Sequence, residues 1–519
     1  MPRLSIDNRE VEVDGGSTIL DAAEKLGIQI PTLCFLKGSA PSTSCMVCVV
    51  KVAGSRSLLP ACATVAVDGM RVESDCEEVL EARKAALELL LSDHVGDCMG
   101  PCQIACPARM NIPLMIRQIA GGRLRDAIAT VKQAIPLPGV LGWICPKPCE
   151  KVCRRRIFDE AVSICLLKRY VAEVDLRSDR PYLPECKAAR GKRVAVVGAG
   201  PAGLAAAYYL RQEGFACTIF DRYDAPGGAL RYEVGQDRLP REVLDAETAF
   251  IRRLEIEFRG RTTIGKDLSI RGLLKNFDAV FLAIGKMESG EIERLGLEAV
   301  SSGVAVDLRT YQTGIEGVFA GGGVVRNRRL AVRAVADGKE AAVSIGQYLL
   351  GAAVTGPKRV FNTRMGKLKD GELEVFVRSA SERGRARPSG KGGGLSSQQV
   401  LEEAGRCLHC DCRKADECKL RRYAQDYTSR AGRYGGPRRL FSRELTHPEI
   451  IYEAGKCIGC GICIRLAAEA NEELGLSFVG RSFDVRVAVP FGRSLGEGLR
   501  KVGRKCAEAC PTGALAIRD

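Results

Sequence analysis

The sequence predicts a multidomain protein that combines α+β and α/β domains, and three observations support this prediction. The chain has 519 residues, enough for several independent cores. It opens with a strand pair, a helix and a cysteine-rich loop, which is an α+β order. The apolar strand 193–197 runs into a glycine-rich turn and an alanine-rich helix, the order that opens a parallel α/β sheet.

The cysteines carry the strongest functional signal. There are 23 of them, and 18 fall into groups whose spacing suits iron–sulfur ligands. Thiolates are soft ligands that hold iron in clusters, and several clusters in one chain make a path for single electrons. The groups are Cys34, Cys45, Cys48 and Cys62; Cys98, Cys102, Cys106, Cys145, Cys149 and Cys153; Cys407, Cys410, Cys412 and Cys418; and Cys457, Cys460, Cys463 and Cys510. We therefore expect a protein that moves electrons.

The net charge of +15 would ordinarily favour a nucleic-acid or membrane-surface partner. A cluster held by four thiolates carries about −2 when oxidised, so five clusters would cancel roughly ten positive charges. We therefore expect no nucleic-acid partner. The N-terminus runs straight into a predicted strand, and no apolar run is long enough to span a bilayer. Grouped cysteines in a long chain suit a reducing compartment, and we expect the cytoplasm of an anaerobe or microaerobe.

Residues 1–78 are predicted to form the first domain. Residues 3–13 alternate as a hairpin of strands. Ser17 is a candidate N-cap for a helix over 18–26, which Gly27 would end. The C-x10-C-x2-C-x13-C spacing of the first cysteine group resembles the N-terminal domain of the large iron–sulfur subunit of respiratory complex I and of iron-only hydrogenases. That resemblance implies a β-grasp ferredoxin domain with one [2Fe–2S] cluster; a zinc site is the alternative.

Residues 79–185 are predicted to form a helical domain and combine two resemblances. The H-x3-C pattern of His94 and Cys98 continues the resemblance to the complex I subunit. From Pro101 onward, the cysteines resemble the helical domain of the NADPH-dependent glutamate synthase small subunit, which dihydropyrimidine dehydrogenase shares. That resemblance implies two [4Fe–4S] clusters, one on Cys98, Cys102 and Cys153 and the other on Cys106, Cys145 and Cys149.

Each of these two clusters lacks a fourth ligand. For the first we expect His94, because imidazole binds iron and the chain has only three histidines; a helix-end residue is the alternative. For the second, the Glu or Gln of the family falls at Lys168, which offers no lone pair while protonated. Cys165 lies about one helical turn earlier on the same face, so we expect it to bind instead. A buried structural cysteine is the alternative there.

Residues 190–352 are predicted to bind a dinucleotide. The glycine pattern between strand and helix places a pyrophosphate at the helix N-terminus, and Asp221 suits a ribose. Pro226–Tyr232 resembles the glutamate synthase small subunit family and implies FAD in a Rossmann-like domain, although the closing Asp of that family is Gly323 here. A flavin-free relic is the alternative. The expected cofactor-binding residues are Gly198, Gly200, Pro201, Ala202, Gly203, Asp221, Arg222, Gly227, Gly228, Leu230, Arg231, Gly285, Gly322 and Gly323.

The same resemblance reveals a deletion. In the family, a second dinucleotide-binding domain lies between two landmarks that fall here at Gly285 and Gly317. Only 31 residues separate them in this chain, too few for a domain that contains a βαβ unit. We expect no NAD(P)H-binding domain, and therefore no hydride exchange between this chain alone and free nicotinamide.

A linker is predicted over 353–400, because residues 379–397 are rich in Arg, Gly and Ser and poor in apolar side chains. Residues 401–430 then carry the C-x2-C-x-C-x5-C group, which is compact enough for one centre. We favour a [4Fe–4S] cluster there, with zinc as the alternative and His409 pointing away.

Residues 446–519 are predicted to form the last domain. The C-x2-C-x2-C run that begins at Cys457 resembles half of a bacterial two-cluster ferredoxin. The resemblance implies a single [4Fe–4S] cluster, because Ala467 replaces the fourth cysteine of that run. Cys506 competes for the remaining position. The expected ligands are Cys457, Cys460, Cys463 and Cys510.

With these resemblances, the chain is expected to be an oxidoreductase subunit that relays electrons through FAD, one [2Fe–2S] and about four [4Fe–4S] clusters. We assign no catalytic side chain and expect the chain to be incomplete alone. Expected partners are ferredoxin and redox subunits of the complex I FMN/NADH, hydrogenase, formate dehydrogenase or heterodisulfide reductase type, with electron bifurcation suggested by analogy. The alternatives are a self-sufficient NAD(P)H- or ferredoxin-linked reductase and a scaffold whose flavin fold carries no electrons.

Overall fold

A computed structural model describes residues 1–326, 330–388, 390 and 392–518. The chain forms two compact units, each assembled from segments that are separate in sequence. The first unit consists of Met1–Met99, Val360–Ser379 and Cys410–Asp519, and the second of Gly100–Arg359 and Ala380–His409. Residues 327–329, 389, 391 and 519, which fall in three of the predicted segments, lie outside the described residues.

This division differs from the predicted order of domains. The segment 79–185 is split after Met99, because the chain leaves the first unit there and returns to it at Val360. The segment 401–430 is likewise split, between His409 and Cys410. The remaining predicted boundaries stay predictions.

The N-terminal part of the first unit is a five-stranded mixed sheet with one helix against it. Its strands are Arg3–Ile6, Arg9–Glu12, Val49–Val52, Leu59–Pro60 and Arg71–Glu73, in the spatial order second, first, fifth, third, fourth. The first two pair antiparallel, as predicted for residues 3–13. The helix is Ile19–Lys25, and its N-cap is Thr18 rather than Ser17. Asp21 decides this, because only Thr18 has the acidic partner three residues on that completes a capping box.

The rest of the first unit carries short helices around two small strand pairs. The pairs are Ile450–Tyr452 with Leu515–Ile517, and Ser477–Val479 with Arg486–Ala488. The α-helices are Glu77–Ser92, Glu372–Val377, Lys419–Asp426, Ile462–Glu469, Leu495–Gly498 and Gly503–Ala509, and the 3-10 turns are Ala454–Lys456, Ser482–Asp484 and Pro490–Gly492. Their apolar faces form one core that includes cysteines of three predicted groups.

The second unit begins with a helical part. Its helices are Pro101–Ala105, Ile112–Ala120, Leu124–Lys132, Pro138–Ile144, Pro148–Lys151, Ile164–Leu176 and Ser397–Ala404, with a 3-10 turn at Arg154–Ile157. Several helices are very short because proline starts them and a cysteine ends them: Cys106 and Cys145 each occupy a C-cap position with extended backbone.

The second unit continues with a parallel five-stranded sheet. From edge to edge the strands are Val318–Ala320, Ala279–Leu282, Arg193–Val197, Ala216–Phe220 and Glu257–Arg259. The helices are Pro201–Gln212, Ala229–Tyr232, Arg241–Arg252, Ile270–Asn276, Ser289–Arg294 and Ala331–Leu349. Between Gly285 and Gly317 lie only the helix Ser289–Arg294 and the strand pair Ala299–Val300 with Gly303–Val304. The predicted deletion therefore leaves a short cap at this place in the sheet.

The described part of the predicted linker packs along the second unit. Arg385 donates to the Glu150 carboxylate at 2.6 Å, and the Ala386 amide donates to Glu403 at 2.6 Å. The carboxylate of Glu403 is fully buried and also accepts from the Ser163 amide at 2.7 Å and from Arg406 at 2.9 Å. The Glu403 side chain thus binds both the linker at Ala386 and the start of the helix Ile164–Leu176 at Ser163.

No helix among residues 1–326, 330–388 and 392–518 combines the length and the apolar character that crossing a bilayer requires.

Replacing Glu403 by alanine is expected to lower the free energy of unfolding of the second unit by about 3 kcal/mol, because two buried amide N–H groups lose their acceptor and Arg406 loses a counter-charge. The urea midpoint of the full chain measures this. The matched control is Glu402→Ala, since Glu402 meets only Arg383 and Gln398 at the surface. Equal midpoints for the two variants would contradict the anchoring role.

Candidate functional site

The first cysteine group is gathered in the first unit as predicted. Cys34, Cys45, Cys48 and Cys62 are all buried, and the sulfurs of Cys48 and Cys62 lie 3.4 Å apart. A hydrogen bond from Cys45 lowers the pKa of Cys34, and one from Cys62 lowers the pKa of Cys48. Two of the four sulfurs are thereby favoured as thiolates, the form that binds iron.

The last cysteine group forms a pocket of its own in the first unit. Cys457, Cys460, Cys463 and Cys510 line it together with Tyr452 and Thr512. Gly459 and Gly461 adopt left-handed backbone (φ of 63° and 69°), which turns the loop back so that three cysteines of a seven-residue run line the same pocket. Cys506 is fully buried, lies outside this lining and directs its sulfur toward the Cys463 carbonyl at 3.7 Å.

The second unit brings Cys106, Cys145, Cys149 and Cys165 into a second pocket, and Lys168 lines it as well. The neighbouring Cys165 thiol raises the pKa of Cys145, which is consistent with the two side chains sharing this pocket. The Cys165 backbone amide donates to the Glu150 carboxylate at 2.9 Å, which fixes the first turn of the helix Ile164–Leu176 against these cysteines. The sequence-predicted substitute ligand therefore lies with its expected group.

Three further cysteines of the second unit, Cys102, Cys153 and Cys407, lie partly buried against one hydrophobic core of that unit. Cys102 belongs to the short helix Pro101–Ala105, and Cys153 precedes the turn Arg154–Ile157. Cys407 follows the helix Ser397–Ala404 and was predicted to bind with Cys412 and Cys418 instead.

The first unit places Cys98 with Cys412 and Cys418, which differs from both predicted ligand sets. The Cys412 amide donates to the Cys98 carbonyl at 3.2 Å, and the Cys98 sulfur lies 3.2 Å from the Thr363 hydroxyl. Burial, together with the neighbouring thiols of Cys412 and Cys98, raises the pKa of Cys418 to about 12. The physical reason is the return of the chain, which brings residue 412 beside residue 98 after the whole second unit has been inserted.

His94 belongs to the same neighbourhood. Burial and, to a smaller extent, the Lys456 ammonium lower its pKa to about 4, so the imidazole is neutral at neutral pH. Lys456 also neighbours Cys412, since the Cys412 thiol raises the pKa of Lys456. The His94 Nδ1 atom is buried without a hydrogen-bond partner among the described residues. A neutral ring with an unused nitrogen is the form in which histidine binds metals.

The sequence contained a signal for this grouping. The H-x3-C pattern of His94 and Cys98 ends at the point where the chain leaves the first unit, and Cys412-x5-Cys418 follows soon after it returns. Treating Gly100–Arg359 and Ala380–His409 as insertions would have joined the two halves of one pattern.

The dinucleotide turn is built as predicted at the end of the strand Arg193–Val197. Gly198 has a left-handed φ of 107°, and a Cβ on Gly203 would lie 1.8 Å from the Gly198 carbonyl oxygen, so both positions need glycine. The Asp221 carboxylate is buried and accepts from the Ala199 amide at 2.6 Å, so it braces the turn. A Cβ on Gly323 would lie 3.2 Å from the Gly285 backbone, which leaves little room for an Asp there.

The remaining expected cofactor-binding residues surround this turn. Gly228 packs on Gly200, since a Cβ on Gly228 would come within 2.8 Å of the Gly200 Cα. Gly322 likewise approaches the Cβ of Ala202. The guanidinium of Arg231 donates to the Pro226 carbonyl at 2.6 Å. Pro201 starts the following helix, Arg222 follows Asp221, and Gly227, Leu230 and Gly285 complete the set.

Among the described residues, no three His, Cys, Asp or Glu side chains converge as they would around one bound ion. The grouping of the cysteines therefore rests on their shared pockets and contacts.

Three regions of the chain match known families. Residues 2–77 match the 2Fe-2S iron-sulfur cluster binding domain, and residues 75–180 match domain II of dihydropyrimidine dehydrogenase, a 4Fe-4S cluster domain. Residues 196–253 match the NAD(P)-binding Rossmann-like domain.

Individual relatives match over about two fifths of the chain. The NADPH-Fe(3+) oxidoreductase subunit beta of Geobacter sulfurreducens is 38% identical over 39% of this chain and 30% of its own length. The NADP(+)-dependent formate dehydrogenase subunit beta of Moorella thermoacetica is 36% identical over 39% of this chain and 31% of its own length. The small chain of glutamate synthase (NADPH) from Bacillus subtilis is 32% identical over 42% of this chain and 46% of its own length. The chain thus spans less than half the length of each of these relatives.

These similarities confirm the predicted class, an oxidoreductase subunit of the electron-transfer kind with iron–sulfur domains. They also confirm domains of the 2Fe-2S and 4Fe-4S types, a Rossmann-like domain, and the resemblance to the glutamate synthase small subunit. The resemblance of the two ends to complex I subunits stays a prediction.

Replacing Cys510 by serine is expected to remove one cluster, about four iron atoms per chain, because the pocket of Cys457 loses a soft ligand. Iron and acid-labile sulfide analysis of the anaerobically purified chain measures this. The matched control is Cys506→Ser four residues earlier, which should keep all the iron. Loss of iron in the Cys506 variant alone would reverse the ligand assignment.

Proposed function

We propose that this chain is an iron–sulfur flavoprotein subunit that relays electrons between partner subunits of a larger oxidoreductase. The observation that carries the proposal is direct contact between successive cysteine groups of the first unit. Ser42, in the loop between Cys34 and Cys45, donates to the Cys460 carbonyl at 3.2 Å. Lys414, two residues after Cys412, donates to the Cys510 carbonyl at 2.9 Å. Three groups thus follow one another without intervening structure.

The proposed ligand sets follow these groups. The [2Fe–2S] cluster is assigned Cys34, Cys45, Cys48 and Cys62. Three [4Fe–4S] clusters are assigned Cys457, Cys460, Cys463 and Cys510; Cys106, Cys145, Cys149 and Cys165; and His94, Cys98, Cys412 and Cys418. A fourth [4Fe–4S] cluster has Cys102, Cys153 and Cys407 among its ligands, and Cys410 keeps its predicted role as a cluster ligand.

The Rossmann-like domain is assigned FAD, which supplies the exchange between two-electron and one-electron transfer. The residues of this chain hold it: the glycines at 198, 200 and 203 let the pyrophosphate approach the backbone at the N-terminus of the helix Pro201–Gln212. Asp221, which braces the turn through Ala199, follows the second strand where a ribose binds.

A relay is favoured over a complete enzyme by the short cap between Gly285 and Gly317, which is far smaller than a nicotinamide-binding domain. Partner subunits would then supply the nicotinamide, hydrogen, formate or ferredoxin chemistry. Relatives named as subunits of an NADPH-Fe(3+) oxidoreductase and of a formate dehydrogenase support a partner of that kind.

The test of this function is anaerobic addition of NADPH or NADH to the purified full chain, followed by the visible absorbance of the flavin. The flavin is expected to stay oxidised with either nucleotide and to bleach with dithionite, because the electron donor needs a partner subunit. The complex purified with its native partners is the control and should bleach with its physiological donor. Rapid bleaching of the isolated chain by NADPH or NADH would establish a self-sufficient reductase. A chain that contains its full iron but no flavin would establish a scaffold whose flavin fold carries no electrons.

The ligand set of His94 gives a separate prediction. Cys98→Ser and Cys412→Ser are expected to abolish the same electron paramagnetic resonance signal of the reduced chain, although 313 residues lie between the two positions. Cys102→Ser is expected to abolish a different signal, because Cys102 belongs to the second unit. Cys76→Ser, outside all groups, is the control and should leave every signal in place. If the Cys98 and Cys102 variants lose the same signal and the Cys412 variant loses another, the ligand set predicted from the sequence, Cys98 with Cys102 and Cys153, is supported instead.

A further inference from the structure

The pocket of Cys106, Cys145, Cys149 and Cys165 contains a cation that the relay function does not yet use. Lys168 lines this pocket and is 3% exposed. It lies three residues after Cys165 on the helix Ile164–Leu176, so it shares a face with that thiol. The side chain of Lys168 therefore borders the proposed cluster site, on the same helix as one of the proposed ligands.

Two other buried lysines, Lys132 and Lys456, have a carboxylate partner, and a third, Lys414, donates to three backbone carbonyls. Lys132, 2% exposed in the same unit, pairs with Asp175 at 2.6 Å. Lys456 in the first unit pairs with Glu453. In the described part of the chain, no carboxylate lies within ion-pair distance of Lys168. A buried ammonium needs a nearby negative charge, because its desolvation is otherwise uncompensated.

The four cysteines are the source of that charge. Cys106, Cys145, Cys149 and Cys165 line the same pocket as Lys168, so their sulfurs are its nearest source of negative charge when a cluster is bound. The buried Glu247 carboxylate also interacts electrostatically with Lys168, but it is not within ion-pair distance, and its oxygens accept from the amides of Gly139 and Val140. A cubane on four thiolates, with about −2 net charge when oxidised, fits such a site better than four neutral thiols do.

We propose that Lys168 is the built-in counter-charge of this [4Fe–4S] cluster and sets its reduction potential above the value that the same four cysteines would give alone. The inference rests on the proposed ligand set. In the redox step, one electron from a neighbouring iron–sulfur centre enters the cubane, and no bond is made or broken. The added negative charge interacts with the ammonium in a low-dielectric interior. The ammonium therefore stabilises the reduced cluster more than the oxidised cluster, which raises the reduction potential.

The resemblance to the glutamate synthase small subunit explains why the charge is needed here. In that family a Glu or Gln occupies the position of Lys168 and acts as the fourth ligand. In this chain Cys165 takes over the ligand role, and a thiolate donates more electron density to iron than a carboxylate or amide oxygen does. Lys168 compensates for that exchange, so the cluster remains reducible in the middle of an electron path.

The experiment is a redox titration of the full chain under anaerobic conditions, followed by electron paramagnetic resonance. Cys165→Ser first identifies the signal of this cluster by its loss or change. Lys168→Met, which keeps the length of the side chain and removes the charge, is expected to shift the midpoint potential of that signal in the negative direction and to leave the others unmoved. Lys132→Met is the matched control: it removes an equally buried ammonium, and it should lower stability without shifting any cluster potential.

Iron analysis and Lys168→Arg make the result decisive. Full iron with an unmoved potential in Lys168→Met overturns the inference while leaving the ligand set intact. Loss of about four iron atoms in Lys168→Met but not in Lys168→Arg supports it, since the site then needs the charge to hold its cluster. Loss of about four iron atoms in both variants overturns the inference, because the site then requires the shape of the lysine side chain rather than its charge. If Cys165→Ser changes neither iron nor signal, the proposed ligand set fails instead.

Discussion

The constraint on which this structure depends is the concentration of thiolate charge inside a protein. Sulfur ligands must be buried to hold a cluster away from water, yet each additional negative charge in a low-dielectric interior repels the others. Iron neutralises most of that charge and cations of the protein take the rest. Lys168 and Lys456 lie fully buried beside cysteines, and Lys414 places its ammonium on the carbonyls of Ala507, Glu508 and Cys510. In the proposed relay, the charge of the bound clusters would offset much of the net charge of +15.

A second organising feature is the insertion of one unit into the chain of the other. The first unit is interrupted after Met99 and resumes at Val360, yet Cys98 and Cys412 share a backbone hydrogen bond of 3.2 Å. Such a junction works because the two ends of an inserted unit need only lie close together, and the cost of closing a long loop grows slowly with its length. The second unit contains a cysteine pocket and a dinucleotide fold of its own.

The short cap in the parallel sheet separates two tasks that larger flavoproteins combine. The turn around Gly198 and Gly203 retains the close backbone packing that a pyrophosphate requires. The segment between Gly285 and Gly317 is reduced to a helix of six residues and a two-stranded pair. The proposed relay agrees with both features, since it requires a dinucleotide turn but no nicotinamide domain within this chain.

The features that could be predicted from the sequence alone are those that depend on residues close together in the chain. The hairpin of residues 3–13, the strand and glycine turn at 193–203, and the cysteine sets of Cys34 and of Cys457 were all predictable, because each depends on spacing within a short stretch. Even the substitute Cys165 followed from helical periodicity. Only the tertiary structure decided that Cys98 lies with Cys412 and Cys418, and that Cys407 packs against the same core of the second unit as Cys102 and Cys153. These groupings depend on where an inserted unit begins and ends, and no local spacing records the distance in space between its two junctions.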